Sequence, residues 1–189
     1  MTHPYIIITA LEGELNPSKI PAGIPIIYSG IGKINATMAT LQAIEKFNPK
    51  AIINFGTVGK INTTLQGLLT IKKVIQRDMQ TEPLAPRGVT PFCTKPSEYL
   101  SINGQHTCGT GDSFVTSRDD WLIEQSVDVV DMELFAIAAV AHEHQIPWIS
   151  FKFITDDANN DSGNDWQENI SLGEQLFLKE LNKFTQLQS

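Results

Sequence analysis

The sequence predicts an α/β fold: a three-layer α/β/α arrangement with a central mixed β-sheet flanked by helices. Two observations carry this. Short, continuous apolar runs such as YIIIT, near the start, and PWISFKFIT, near the end, have the signature of strands buried on both faces. Between such runs lie segments of helical period opened or closed by glycine and proline, as in the strand, glycine turn and helix of IPIIYSGIGKINATMATLQAIEKFNP.

The chain has 189 residues, 41% hydrophobic and 19% charged, with no internal repeat, linker or low-complexity tract, so residues 1–189 are expected to form a single domain with a substantial core. A formal net charge of −7 with only three arginines, Arg77, Arg87 and Arg118, argues against nucleic acid as a partner. Cys93 and Cys108 have no metal-ligand spacing and make no disulfide framework. The start lacks a basic, then apolar, signal segment, and no window approaches the ~18 apolar residues of a membrane span. The expectation is a cytoplasmic protein with no membrane contact.

Tyr5–Thr9 reads as the first buried strand, and it empties into ALEGEL, which puts Glu12 and Glu14 at its carboxyl end. The second strand leads through SGIGK into a helix with an expected buried stripe of Ile34, Met38, Leu41 and Ile44, ended at Asn48-Pro49. SGIGK is neither common phosphate-binding loop. A dinucleotide fingerprint needs glycine at position 35, which is Asn35, and a P-loop needs glycine at position 27, which is Ile27. A tight turn that lets backbone approach a ligand remains. AIINFGTVGKI is then a strand and its turn, with Thr57 offering hydroxyl and backbone donors.

LLTIKKVIQRDM is a further strand, its two lysines marking a partly exposed position. Thr81 to Pro96, with four prolines, reads as a long functional loop or a partner contact. QHTCGTGDSFVTSRDDWLIEQS is a strand, a turn and a short helix that Ser117 could cap, with Asp119 and Asp120 in the first turn. VDVVDMELFAIAAVAHEHQIPWISFKFIT is strand, helix, strand, with Leu134, Ile137, Ala138 and Ala141 on the helix's apolar face. Its length predicts a parallel pair with a right-handed crossover. Asp131 and Glu133 would follow the first strand and Asp156 and Asp157 the second, where open α/β sheets bind ligands. Converging carboxylates suit acid–base chemistry on a small polar ligand. A last helix, Asp165 to about Gln186, would pack Ile170, Leu172, Leu176, Phe177 and Leu181 on the sheet.

DMELFAIAAVA followed by FKFITDDAN resembles the nucleoside phosphorylase/nucleosidase superfamily, and within it the 5′-methylthioadenosine/S-adenosylhomocysteine nucleosidases. ALEGEL, SGIGK, NFGTVG, GDSFV, DME and ITD occur in that family's order and span most of the chain. The resemblance implies a nucleoside phosphorylase-like fold and hydrolysis of the N-glycosidic bond of an adenosine-type nucleoside, with no cofactor and no metal. It makes Asp156 the acid at N7 of the base, a role that needs a protonated carboxyl, which burial or nearby carboxylates could arrange. Glu14 becomes the residue that holds and deprotonates water, with Glu12 as the alternative because Gly13 interrupts the acidic run. Glu133 would accept the ribose hydroxyls with Met132 against the sugar, and Phe114 would stack on the purine while the backbone of Val115 reads its edge. Thr57 and Ile31 would line the ribose side, and Lys152 would brace Glu133 or Asp156.

The family's pockets are usually completed across a homodimer, and the shortened 81–96 loop puts the 5′ preference in question. Phosphorylases of the superfamily place an arginine two residues before the glycine at position 56, where guanidinium matches phosphate; this chain has Asn54. Water is therefore expected as the nucleophile. A phosphorylase, and a nucleoside-binding sibling without turnover, are the alternatives. Without the resemblance, plainer readings hold: Phe114 as core, Thr57 as a turn residue, Glu12 and Glu14 as a solvated loop. Two metal motifs fail. His142 and His144, two apart, point to different helix faces, and DANNDSGNDWQE lacks the glycine of a calcium loop at its sixth position. That segment, with Trp166, reads instead as a lid.

Overall fold

In a computed structural model, which describes residues 4–117, 119–158 and 172–186, eight strands form one mixed sheet. The strands are β1 (Tyr5–Thr9), β2 (Ile26–Tyr28), β3 (Ala51–Lys60), β4 (Leu68–Gln76), β5 (Glu98–Leu100), β6 (His106–Thr110), β7 (Val129–Asp131) and β8 (Trp148–Asp156). The helices are α1 (Lys33–Phe47), α2 (Asp120–Glu124), α3 (Leu134–Glu143) and α4 (Glu174–Gln186). The strand order is β2-β1-β3-β7-β6-β4-β5, with β8 pairing both β3 and β4. Pairings run from β3 through β7, β6, β4 and β8 back to β3, so part of the sheet closes on itself.

Alternation sorts the core into the two sides of the sheet. Ile6 and Ile8 of β1 join a cluster with Ala36, Ala43 and Ile44 of α1 and Leu134, Ile137, Ala138 and Ala141 of α3. Ile7, between them, faces Phe55, Phe151, Phe177 and Leu181 instead. There Phe177 of α4 stacks on Phe55 at 4.4 Å between ring centroids and meets Phe151 edge-on at 5.7 Å. Helices thus cover both faces, which is why β1 and β3 are apolar at nearly every position.

The expected stripe on α1 is corrected. Ile34, Met38 and Leu41 are 74%, 55% and 43% exposed, and only Ile44 of that set is buried. The inward face carries Ala36, Thr40 and Ala43, whose small side chains let α1 lie close against α3 and β1. Both faces repeat at helical spacing, so periodicity could not choose between them. Leu172 and Leu176 are likewise exposed, while Phe177 and Leu181 are fully buried, and α4 starts at Glu174 rather than Asp165. Residue 170, Trp166 and the 159–168 part of the expected lid lie outside the described residues.

Four further differences concern the sheet and a cap. β7 and β8 are not a parallel pair: β3 lies between them, antiparallel to β7 and parallel to β8. The turn expected in NFGTVG is instead the second half of a ten-residue β3, irregular only between Val58 and Gly59. The cap of α2 is Asp119, whose carboxylate accepts from the Trp121 amide, not Ser117. β5 carried no periodic signal in the sequence; it is three residues paired antiparallel to β4.

Candidate active site

The long β3 gathers the acidic residues. Gly59, near its end, is in register with Val130 of β7 on one side and Asp156 of β8 on the other. The carboxyl ends of β7 and β8 therefore meet across a single glycine, although the two strands are not paired in the sheet. A side chain at Gly59 would stand 2.6 Å from Asp156 Oδ1 and 3.3 Å from Ala158 Cβ, so the approach requires glycine. Around this point lies a cavity that is partly open to solvent. Glu14, Ile31, Thr57, Phe114, Val115, Met132, Glu133 and Asp156 all line it.

Glu14, 3% exposed, is held by five donors. Oε2 accepts from Thr9 Oγ1 at 2.8 Å and from the amides of Ala10 and Leu11 at 2.9 and 3.1 Å. Oε1 accepts from the Thr57 amide and hydroxyl, both at 3.0 Å. Thr57 thus fixes a carboxylate rather than a turn. Glu12 is exposed and does not line the cavity. Asp156, 8% exposed, accepts from the Ala158 amide at 2.9 Å and lies 3.1 Å from the Thr155 hydroxyl. Phe114 is 49% exposed at the mouth, which removes the core reading, while Val115 packs against the buried cluster of Ile75, Leu122, Val127 and Val130.

Lys152 does not line the cavity, and its expected role is corrected. At 1% exposed, its ammonium donates to Asp131 Oδ2 at 2.7 Å, bracing neither Glu133 nor Asp156 directly. Asp131 also accepts from Thr110 Oγ1 at 2.5 Å and the Leu134 amide at 2.9 Å. Burial works against both charges, but each outweighs it for the other: Lys152 titrates above its ordinary range and Asp131 below its own. The pair sits inside the closed part of the sheet, and Gly56 makes room for it, since a Cβ there would come 3.1 Å from Lys152 Nζ and 3.6 Å from Glu14 Oε1.

Glu133 accepts from the Gly32 amide at 2.9 Å. Burial, with the charges of Asp131 and Glu14, outweighs Lys152 and that amide and pushes its carboxyl up from 4.5 to about 7. A folded pKa above the unfolded one gives stability that is complete below about pH 4.5 and lost as pH rises through about 7. The ligand-free protein is therefore expected to lose stability on the order of 3 kcal/mol across that window. In Glu133→Gln that part of the slope should vanish, as urea unfolding at stepped pH would read; parallel slopes would contradict the assignment.

The sequence did not single out Arg77, Ser113 and Ala10, which also line the cavity, and it left Asp131 without a role there. Arg77 is 5% exposed and donates to the carbonyls of Gly109, Gly111 and Ser113 and to the Ser113 hydroxyl. No carboxylate pairs with it among the described residues. Burial lowers its guanidinium from the ordinary value, against the pull of Asp78 and Asp131. Its commitment to backbone makes it a support for the 109–113 segment rather than an open anion ligand. Asn54 is also spent, donating to the Ile8 carbonyl at 3.0 Å and accepting from Ser150 Oγ at 2.7 Å.

Residues 22–186 match the family model of the phosphorylase superfamily. The 5′-methylthioadenosine/S-adenosylhomocysteine nucleosidase of Shewanella sediminis is 30% identical over 166 residues, 76% of this chain and 72% of that one. That of Staphylococcus haemolyticus is 30% identical over 181 residues, 83% and 77% of the two chains. Among solved structures, a Helicobacter pylori methylthioadenosine nucleosidase variant with 5′-methylthioadenosine in its active site has a TM-score of 0.87 at 20% identity, over 98% of this chain and 99% of that one. The futalosine hydrolase of the same organism has a TM-score of 0.85 at 20% identity, over 96% and 97%. At that identity these two show the shared nucleoside phosphorylase-like fold. The family model and the curated relatives settle the family: the chain belongs to the phosphorylase superfamily, among its 5′-methylthioadenosine/S-adenosylhomocysteine nucleosidases.

Proposed function

We propose that this protein is a nucleosidase that hydrolyses the N-glycosidic bond of an adenosine-type nucleoside of the methylthioadenosine or adenosylhomocysteine kind. The observation that carries the reading is the meeting of Glu14, Glu133 and Asp156 along one cavity. Asp156 delivers a proton to N7 of the base as the C1′–N9 bond breaks, so that the base leaves neutral. Glu133 grips the ribose hydroxyls and opposes the positive charge that develops on the sugar. Glu14, fixed by its five donors, orients a water molecule whose oxygen bonds to C1′ and whose proton it receives. Phe114 covers the flat face of the base, Val115 its edge, and Met132 and Ile31 the sugar.

Water rather than phosphate is the attacking group because the cations near the site among the described residues are occupied: Arg77 by carbonyls, Lys152 by Asp131, Lys33 by Asp78 and Lys60 by Asp157. The exposed apolar row Ile34, Met38 and Leu41 runs along α1 from the turn that holds Ile31 at the cavity mouth, and a second copy of the chain would cover it. We assign a homodimer on that ground. Two unpaired cysteines suit the reducing cytoplasm. Free base should be assayed from methylthioadenosine, adenosylhomocysteine, deoxyadenosine and futalosine, each with and without phosphate. Release that does not depend on phosphate is expected. Strict phosphate dependence would make the enzyme a phosphorylase, and tight binding without release would make it a non-catalytic sibling.

A further inference from the structure

Outside the three carboxylates, a closed ring of hydrogen bonds beside the cavity joins three separate segments of the chain. Lys33 follows β2, Asp78 follows β4 and Asp112 follows β6. The Lys33 amide donates to Asp112 Oδ1 at 2.8 Å, and the Asp112 amide donates to Asp78 Oδ2 at 2.9 Å. The Lys33 ammonium closes the ring on Asp78 Oδ1 at 2.6 Å. Burial opposes the charge on Asp78, but the Lys33 ammonium and the Asp112 amide outweigh it and hold the carboxyl below its ordinary value.

The ring stands between the two halves of the site. Gly32, one residue before Lys33, gives its amide to Glu133. Ser113, Phe114 and Val115, directly after Asp112, face the base side of the cavity. Gly32 has φ +96°, open to glycine, and as the residue before α1 it offers no side chain to cap that helix. Asp112 supplies the cap from across the site, and a Cβ on Gly32 would come 3.2 Å from its Oδ1. The glycine turn is thus braced from outside, by the same residue that begins the base-facing segment.

We propose that Lys33, Asp78 and Asp112 are positioning residues that hold the Gly32 amide on Glu133 and the 113–115 segment at one fixed spacing. A ring that served only to cap α1 would contribute stability without reaching Glu133. The inference takes Glu133 as the ribose holder, and so rests on the nucleosidase reading, yet its central test needs no turnover. Glu133 is faced by Asp131 from β7, Lys152 from β8, Glu14 from the loop after β1 and the Gly32 amide. Opening the ring withdraws only the last of these.

The titration midpoint of the Glu133 carboxyl, followed by carbon NMR on the ligand-free protein, is therefore expected to rise by about 0.5 pH unit or more in Asp112→Ala. Asp112→Asn keeps an oxygen for the Lys33 amide and should return it to the wild-type value. Alongside, kcat/KM should fall by roughly 10- to 100-fold in Asp112→Ala and recover in Asp112→Asn. Lys33→Met opens the ring from the other side and serves if Asp112→Ala does not fold. An unmoved midpoint in a folded Asp112→Ala, or an equal rise in Asp112→Asn, would overturn the proposal. Because the midpoint is read without catalysis, a failed ring and a failed nucleosidase assignment give different results.

Discussion

Asp156→Asn should reduce base release by about 10³-fold or more, since in the proposed mechanism it removes the group that carries the proton to the leaving base. The amide nearly matches the carboxyl in size and can keep an oxygen for the Ala158 amide, so the fold should survive. Position matters as much as chemistry here. Asp156 stands where it does because β8 runs parallel to β3 and Gly59 offers no side chain to push it away. The check is free adenine measured over time, with a thermal melt to show that the variant is folded. Turnover near the wild-type rate would remove Asp156 from the mechanism.

Lys152→Met is expected to show the largest loss of stability, about 3–5 kcal/mol. The substitution keeps most of the side-chain volume but strips the countercharge from Asp131, leaving a buried carboxylate held by neutral donors such as the Thr110 hydroxyl and the Leu134 amide. Relieving that charge as well, in Lys152→Met with Asp131→Asn, should recover part of the loss, because the pair's own attraction and its desolvation nearly offset each other. Equilibrium urea unfolding of the two single variants and the double variant measures the coupling. A Lys152→Met protein within about 1 kcal/mol of wild type would mean that the ion pair is not buried as described.

Most of the strands and their two covered faces could be read along the chain, because the continuous apolar runs of β1 and of the first half of β3 mark strands buried on both sides. So could α3, whose inward face has no rival. On α1 two stripes of equal period compete, and only packing against α3 shows that the small-residue stripe turns inward and the larger one outward. The motif order in the chain brought Glu14, Glu133 and Asp156 forward as a set, but not the reason they meet. That reason is Gly59, flanked by β7 and β8, and a local strand–helix–strand pattern points to a different pairing. Arg77 gave no signal in one dimension, since a buried guanidinium is recognised only by the carbonyls it finds.

Residue type and spacing along the chain thus determine where acids stand at strand ends and where glycine lets backbone come close, and the motif order, through the family resemblance, determines which of them are candidates for chemistry. Which acid pairs with Lys152, which carboxyl is pushed up toward neutrality and which loops brace one another were decided only when the sheet closed. Charge interactions depend on distance and on exclusion of water, and both are properties of the assembled fold rather than of neighbours in sequence.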